Sequence, residues 1–86
     1  MTEMLLGNVA ETVSDEEIGE FLTRYGFPPF SAIRREPGTG DRPAAIVVFE
    51  NETADSLRVL QSRIHNIFWK DHTITALLIP QRSEPF

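Results

Sequence analysis

Six consecutive residues, Ala44-Ala45-Ile46-Val47-Val48-Phe49, carry no polar side chain, and Pro43 and Glu50-Asn51 bound them. So short an apolar run, rich in β-branched residues, reads as a strand, whose alternate side chains point to opposite faces. One face presents Ala45, Val47 and Phe49; the other presents Ala44, Ile46 and Val48. A strand apolar on both sides usually has both sides covered, which places it inside a sheet. In 86 residues, enough for one core and too few for two, the rest of the chain must supply the flanking strands and the covering layer.

The remaining segments divide accordingly. Met4 to Val9 reads as a first short strand. In VSDEEIGEFLTRYG, Ser14 with Glu17 three residues on forms a capping box, and Asp15 and Glu16 suit the first turn of a helix. Ile18, Phe21, Leu22 and Tyr25 recur at helical spacing as one apolar stripe, and Gly26 with Pro28 and Pro29 stops the helix. Phe30 to Glu36 is expected as a second strand, PGTGD as a loop and Ala44 to Phe49 as the third strand. Asn51 is the expected cap of a second helix carrying Ala54, Leu57, Leu60 and Ile64 on one face. After an irregular stretch around Asn66, Thr73 to Ile79 reads as the last strand, ended by Pro80.

The order β-α-β-β-α-β predicts an α+β, ferredoxin-like sandwich: a four-stranded antiparallel sheet with two helices on one face. A single domain over 1–86 is expected, with its core at about 4–80 and a short tail at 81–86. If Ile74, Ala76 and Leu78 point inward, Thr75 and Leu77 join Leu5, Ala44, Ile46 and Val48 on the face away from the helices.

With no cysteine there is no disulfide framework and no thiolate, so an intracellular home is expected. The N-terminal stretch has Glu3 and Glu11, no basic start and only a short apolar run at Met4 to Leu6, which fits neither a signal peptide nor a membrane span. His65 and His72 have no carboxylate cluster beside them, and PGTGD lacks the Lys and Ser/Thr of a phosphate loop. No nucleophile with an orienting base is evident. The expectation is a binding module without catalysis, cofactor or metal. The net charge is −5, but six of the thirteen acids fall in residues 1–20, where no Lys or Arg occurs. Charges on a helix behind the sheet point away from its open face.

These segments resemble the RNA recognition motif from about Met4 to Pro80. GNVAETVSDEEIGEFLTRYG is similar to that family's first-strand ending, loop and first helix, with Asn8-Val9 in its Asn-Leu place and Tyr25-Gly26 in its aromatic-Gly place. RPAAIVVFEN resembles its octapeptide strand and WKDHTITALLIP its turn and last strand. The resemblance implies single-stranded RNA as partner, bound on the open face of the sheet. It also exposes a departure: the family's base-stacking aromatics are replaced by Leu5, Ala44 and Ile46, and Pro43 stands for a glycine after Arg42. Losing two stacks removes roughly 2–6 kcal/mol.

Binding of an atypical kind would then rest on Leu5, Asn8, Arg34, Arg35, Arg42, Ala44 and Ile46, with Lys70, His72 and Arg82 near the C-terminal end. The alternative is a protein-interaction module or homodimer built on Leu5, Ala44, Ile46, Val48 and Leu77, with Trp69 as an anchor. A partner, a second copy, or the tail with Ile79 and Phe86 folding back are the three candidate covers. Asp71-His72-Thr73-Ile74 stands where a protein-binding subgroup of the family carries Arg-x-Phe, which argues against that one mode. Beside these readings stand plainer ones: Trp69 packing on a helix end, and Arg34 and Arg35 as solvated strand residues.

Overall fold

The computed structural model describes residues 1–36 and 43–79. The elements in chain order are β1 (Thr2–Gly7), α1 (Asp15–Arg24), β2 (Ala32–Glu36), β3 (Ala44–Phe49), α2 (Ala54–Ile64), β4 (Ile67–Trp69) and β5 (His72–Ile79). The strands lie in the order β2-β3-β1-β5-β4, each antiparallel to its neighbour. The apolar run is thus an interior strand, paired with β1 on one side and β2 on the other.

Five strands replace the four expected. The additional one, β4, comes from the stretch read as irregular. Asn66 turns at φ 66° and donates its N–H to Ile74 O at 2.8 Å, and Ile67–Trp69 then runs back along β5. The connection is two residues long, Lys70 and Asp71, at φ 52° and 66°. Paired left-handed residues make the hairpin turn that matches strand twist, but it is usually signalled by Asn-Gly or Asp-Gly, and neither occurs here.

Both helices start on capping boxes. Ser14 Oγ accepts from Glu17 N–H at 3.1 Å, and Glu17 Oε1 accepts from Ser14 N–H at 2.9 Å. Val13 and Ile18, flanking this box, both enter the core in the manner of a hydrophobic staple. At the other end Gly26 takes φ 88°, Phe27 N–H donates to Leu22 O and Gly26 N–H to Thr23 O, which closes the helix in a Schellman motif. The cap of α2 is Thr53, not Asn51: its hydroxyl reaches Ser56 N–H at 3.1 Å, and Ser56 Oγ reciprocates at 3.2 Å. Asn51 is two residues too early for that exchange.

The helices cover one face only. Ile18, Phe21 and Leu22 of α1 and Leu57 and Ile64 of α2 are buried against Met4, Leu6, Ala45, Val47, Phe49, Ile74 and Ala76. Ala45, Val47 and Phe49 have no exposed surface, so the alternation in β3 has the expected sense. Phe27 stacks beside Phe49 at 6.1 Å between ring centroids.

Because β4 spans three residues, it cannot pair with the whole of β5. Where its pairing stops, side chains of α2 and its cap satisfy the bare backbone: Ala76 N–H donates to His65 Nδ1 at 3.1 Å, and Gln61 Nε2 donates to Ala76 O. An orphaned buried N–H costs about 1–3 kcal/mol. His65→Ala is therefore expected to lower unfolding free energy by about 1–2 kcal/mol, read as a drop in the urea midpoint with unchanged slope. A loss within error would show that water replaces the imidazole at no cost.

Candidate functional site

Strand register assigns every described residue of the open face. Across β2, β3, β1 and β5, one row holds Arg34, Ile46, Leu5 and Leu77. A second holds Ala32, Val48, Glu3 and Ile79, and a third holds Glu36, Ala44, Gly7 and Thr75. At the far edge Phe68 of β4 stands opposite Thr73 of β5. The middle row is apolar over three strands and ends in a cation.

Not all of this face is accessible. Ala44 and Val48 retain 7% and 6% of their surface, so neither offers much contact area, whereas Leu77 is 52% exposed. Arg34 on β2 reaches across β3 to Glu3 on β1, with Nη1 and Oε2 3.2 Å apart. The pair spans the strand that carries Ile46 and Val48. An exposed pair of this kind is worth about 0–1 kcal/mol, so it opens readily for a better partner. A Cβ at Gly7 would meet Thr75 Oγ1, so a larger residue there needs the Thr75 side chain to rotate away.

Three residues read from the sequence lie elsewhere. Arg35 stands opposite Ala45, on the helix side of β2, and its guanidinium binds Asp15 Oδ1 and Val13 O at the start of α1. Residue alternation forces this: Arg34 and Arg35 cannot share a face. Trp69 also faces the helices, where it stacks on Phe21 at 4.4 Å, so its indole supports the core and is no outward anchor. Lys70 lies 5.8 Å from that ring and 2.6 Å from Glu17 Oε2. This ammonium, together with the capping bond from Ser14, holds the Glu17 carboxyl below the usual carboxylate range. Lys70 thereby ties the β4–β5 turn to the N-terminus of α1.

Asn8, at φ 66°, ends β1 and donates its side-chain amide to Thr73 O at 3.1 Å. It thereby sits beside Thr73, the residue that faces Phe68. His72 pairs with Trp69 at the same end of β5. Arg42, Arg82 and Phe86, with the PGTGD loop and the tail, lie outside the described residues.

Phe68 was missed by sequence reasoning. It is 69% exposed, the highest value among the large apolar side chains described. The signal was present as the apolar run Ile67-Phe68-Trp69, but three residues without a recognisable turn do not announce a strand. Among the described residues no group of three His, Asp or Glu is gathered as for a metal ion, and no helix is long and apolar enough to cross a membrane. A depression lies away from that face, between Glu16, Glu20, Phe27, Pro29 and Phe30. It touches none of the open-face residues.

No family model and no curated protein matches the chain. Solved structures do. The third RRM of Pes4 superposes with a TM-score of 0.72 at 16% identity, covering 100% of both chains. The third RRM of Mip6 gives 0.71 at 22% identity, over 91% of this chain and 93% of that one. The C-terminal RRM of MEC-8, solved bound to AGCACA, gives 0.65 at 10% identity over 96% and 95%. The chain has the fold of the RNA recognition motif.

Proposed function

We propose, from this fold and the composition of its open face, that the protein binds single-stranded RNA on that face by an aromatic-poor mode. The observation that carries the reading is the row Arg34, Ile46, Leu5 and Leu77, left free by both helices. Its three aliphatic side chains offer a flat apolar surface to bases, and Arg34 at its end offers a phosphate contact. The MEC-8 domain, which shares the fold, was solved bound to AGCACA, and that supports RNA as the class of ligand. Without base stacks on β1 and β3 the affinity is modest.

The test is an anisotropy titration with labelled random-sequence single-stranded RNA at two salt concentrations. One or two phosphate contacts predict a shallow salt slope, about −0.7 to −1.4 in log–log form. Absence of binding at millimolar protein sinks the proposal. The ion pair on the face supplies a sharper expectation. Glu3→Gln frees Arg34 and removes an anion from the path of the phosphates, and should tighten binding about fivefold at low salt, the equivalent of roughly 1 kcal/mol. Unchanged affinity would mean that Arg34 does not meet the backbone.

One observation favours a second reading, a protein-contact surface. Arg34 is opposed by Glu3 and flanked by Glu36, so the described open face has no net positive charge while its middle row is apolar. Sedimentation of the free protein over a range of concentrations addresses self-association directly.

A further inference from the structure

We infer that Phe68 is the base-stacking ring of this domain, moved from the centre of the sheet to its β4 edge, and that Asn8 and Thr73 form the polar side of the same subsite. The inference rests on the RNA reading given above. Phe21, Phe27 and Phe49 are buried, and Tyr25, Phe30 and Trp69 pack against the core, so Phe68 is the one described aromatic that faces solvent on the open side.

Its orientation is fixed by its neighbours. Ile67 and Trp69 turn inward onto the core and are held there, Trp69 by its stack on Phe21, so the residue between them must point outward. The hairpin is held by its backbone bond from Asn66 N–H to Ile74 O and by the Trp69–Phe21 stack beside its turn, with the exposed Lys70–Glu17 pair adding little. A ring on such a support is preorganised, and ordering it on binding costs little. An apolar ring displayed this way gains nothing for the fold, because its burial contributes almost nothing there.

The surroundings match a nucleobase. Thr73 lies directly across the strand pair, which sets its hydroxyl on the side of the ring, and Asn8 donates to the Thr73 carbonyl from the end of β1 and keeps its amide oxygen uncommitted there. Phe68 stands two strand spacings from β1 and, through its partner Thr73, four residues along β5 from Leu77, about 10 Å across the sheet and about 14 Å along it, a span of a few nucleotides from RNA seated on Leu5 and Leu77. Base–aromatic stacking tolerates any base, whereas the amide and hydroxyl can prefer one.

The test compares four proteins, wild type, Phe68→Ala, Phe68→Tyr and Phe68→Leu, in anisotropy titrations with labelled single-stranded RNA of about eight nucleotides, a usual site size for one domain. Phe68→Ala should weaken binding about 5- to 140-fold, the span of one lost stack. Phe68→Tyr should bind like wild type and Phe68→Leu like Phe68→Ala. Because the side chain is exposed, all four should unfold at the same denaturant midpoint, which separates the effect from misfolding. If wild type binds and Phe68→Ala binds equally, the stacking assignment fails while the open-face reading stands. If Phe68→Leu keeps full affinity, the contact is apolar and not aromatic, and the assignment fails again. If wild type takes no RNA but sediments as a dimer that Phe68→Ala splits, both give way to a protein contact.

Discussion

Phe49→Ala is expected to lower the unfolding free energy by about 3–5 kcal/mol, the cost of emptying a ring-sized volume in a core that relaxes only in part. Phe49 has no exposed surface and stacks beside Phe27, while β1 pairs with it through Thr2. Ile46 lies three residues earlier on the same strand but on the other face, only partly buried. Ile46→Ala should therefore cost about 1 kcal/mol, mostly the loss of partial apolar burial. Since a domain of this size holds about 5–15 kcal/mol in total, the first variant stands near the edge of folding and the second does not. Urea unfolding of the two checks this, with equal slopes required for the comparison. Equal losses would mean that the two faces of β3 are packed alike.

Leu5→Asp combined with Ile46→Asp should weaken RNA binding about a hundredfold or more, equivalent to at least roughly 2.7 kcal/mol. The two side chains are direct cross-strand partners in the middle row, so the change replaces the apolar centre of the face by two like charges. Those charges also oppose phosphates arriving beside Arg34. The same substitutions touch nothing on the helix side, and the variant should keep its fold, checked by circular dichroism. A folded double variant with unchanged affinity would place the RNA elsewhere on the molecule.

Much of this architecture was readable from residue order because local and long-range signals agreed. The capping box at Ser14 and the stripe Ile18, Phe21 and Leu22 specify α1 before any tertiary contact is considered, and the unbroken apolar run specifies an interior β3. The misreadings share a cause. Asn51 and Thr53 are both good caps, and only the reciprocal bond with Ser56 chooses between them. The β4 hairpin depends on Lys70 and Asp71 adopting left-handed conformations, a choice sustained by the Lys70–Glu17 contact from a distant element and invisible in the local sequence.

The same limit applies to the site. Leu5, Ile46 and Leu77 follow from alternation alone. Arg34 and Arg35 are adjacent, so alternation guarantees that one of them faces the helices, but naming which requires the register that sets Arg35 against Ala45. Phe68 needed the strand to exist before its side could be known. Phe68 changes the chemistry of the face, since a surface without rings at its centre keeps one at its edge.

The proposed seat of single-stranded RNA is the helix-free face of the sheet. Amide NMR of the uniformly labelled protein, titrated with a pool of short single-stranded oligonucleotides, reads where they land. Shifts should gather on β1, β3, β5 and β4 around Leu5, Ile46, Leu77 and Phe68 and shrink as salt rises, while Ile18 and Leu57 stay in place. Signals that remain fixed at millimolar oligonucleotide, or that move on α1 and α2 instead, would contradict it.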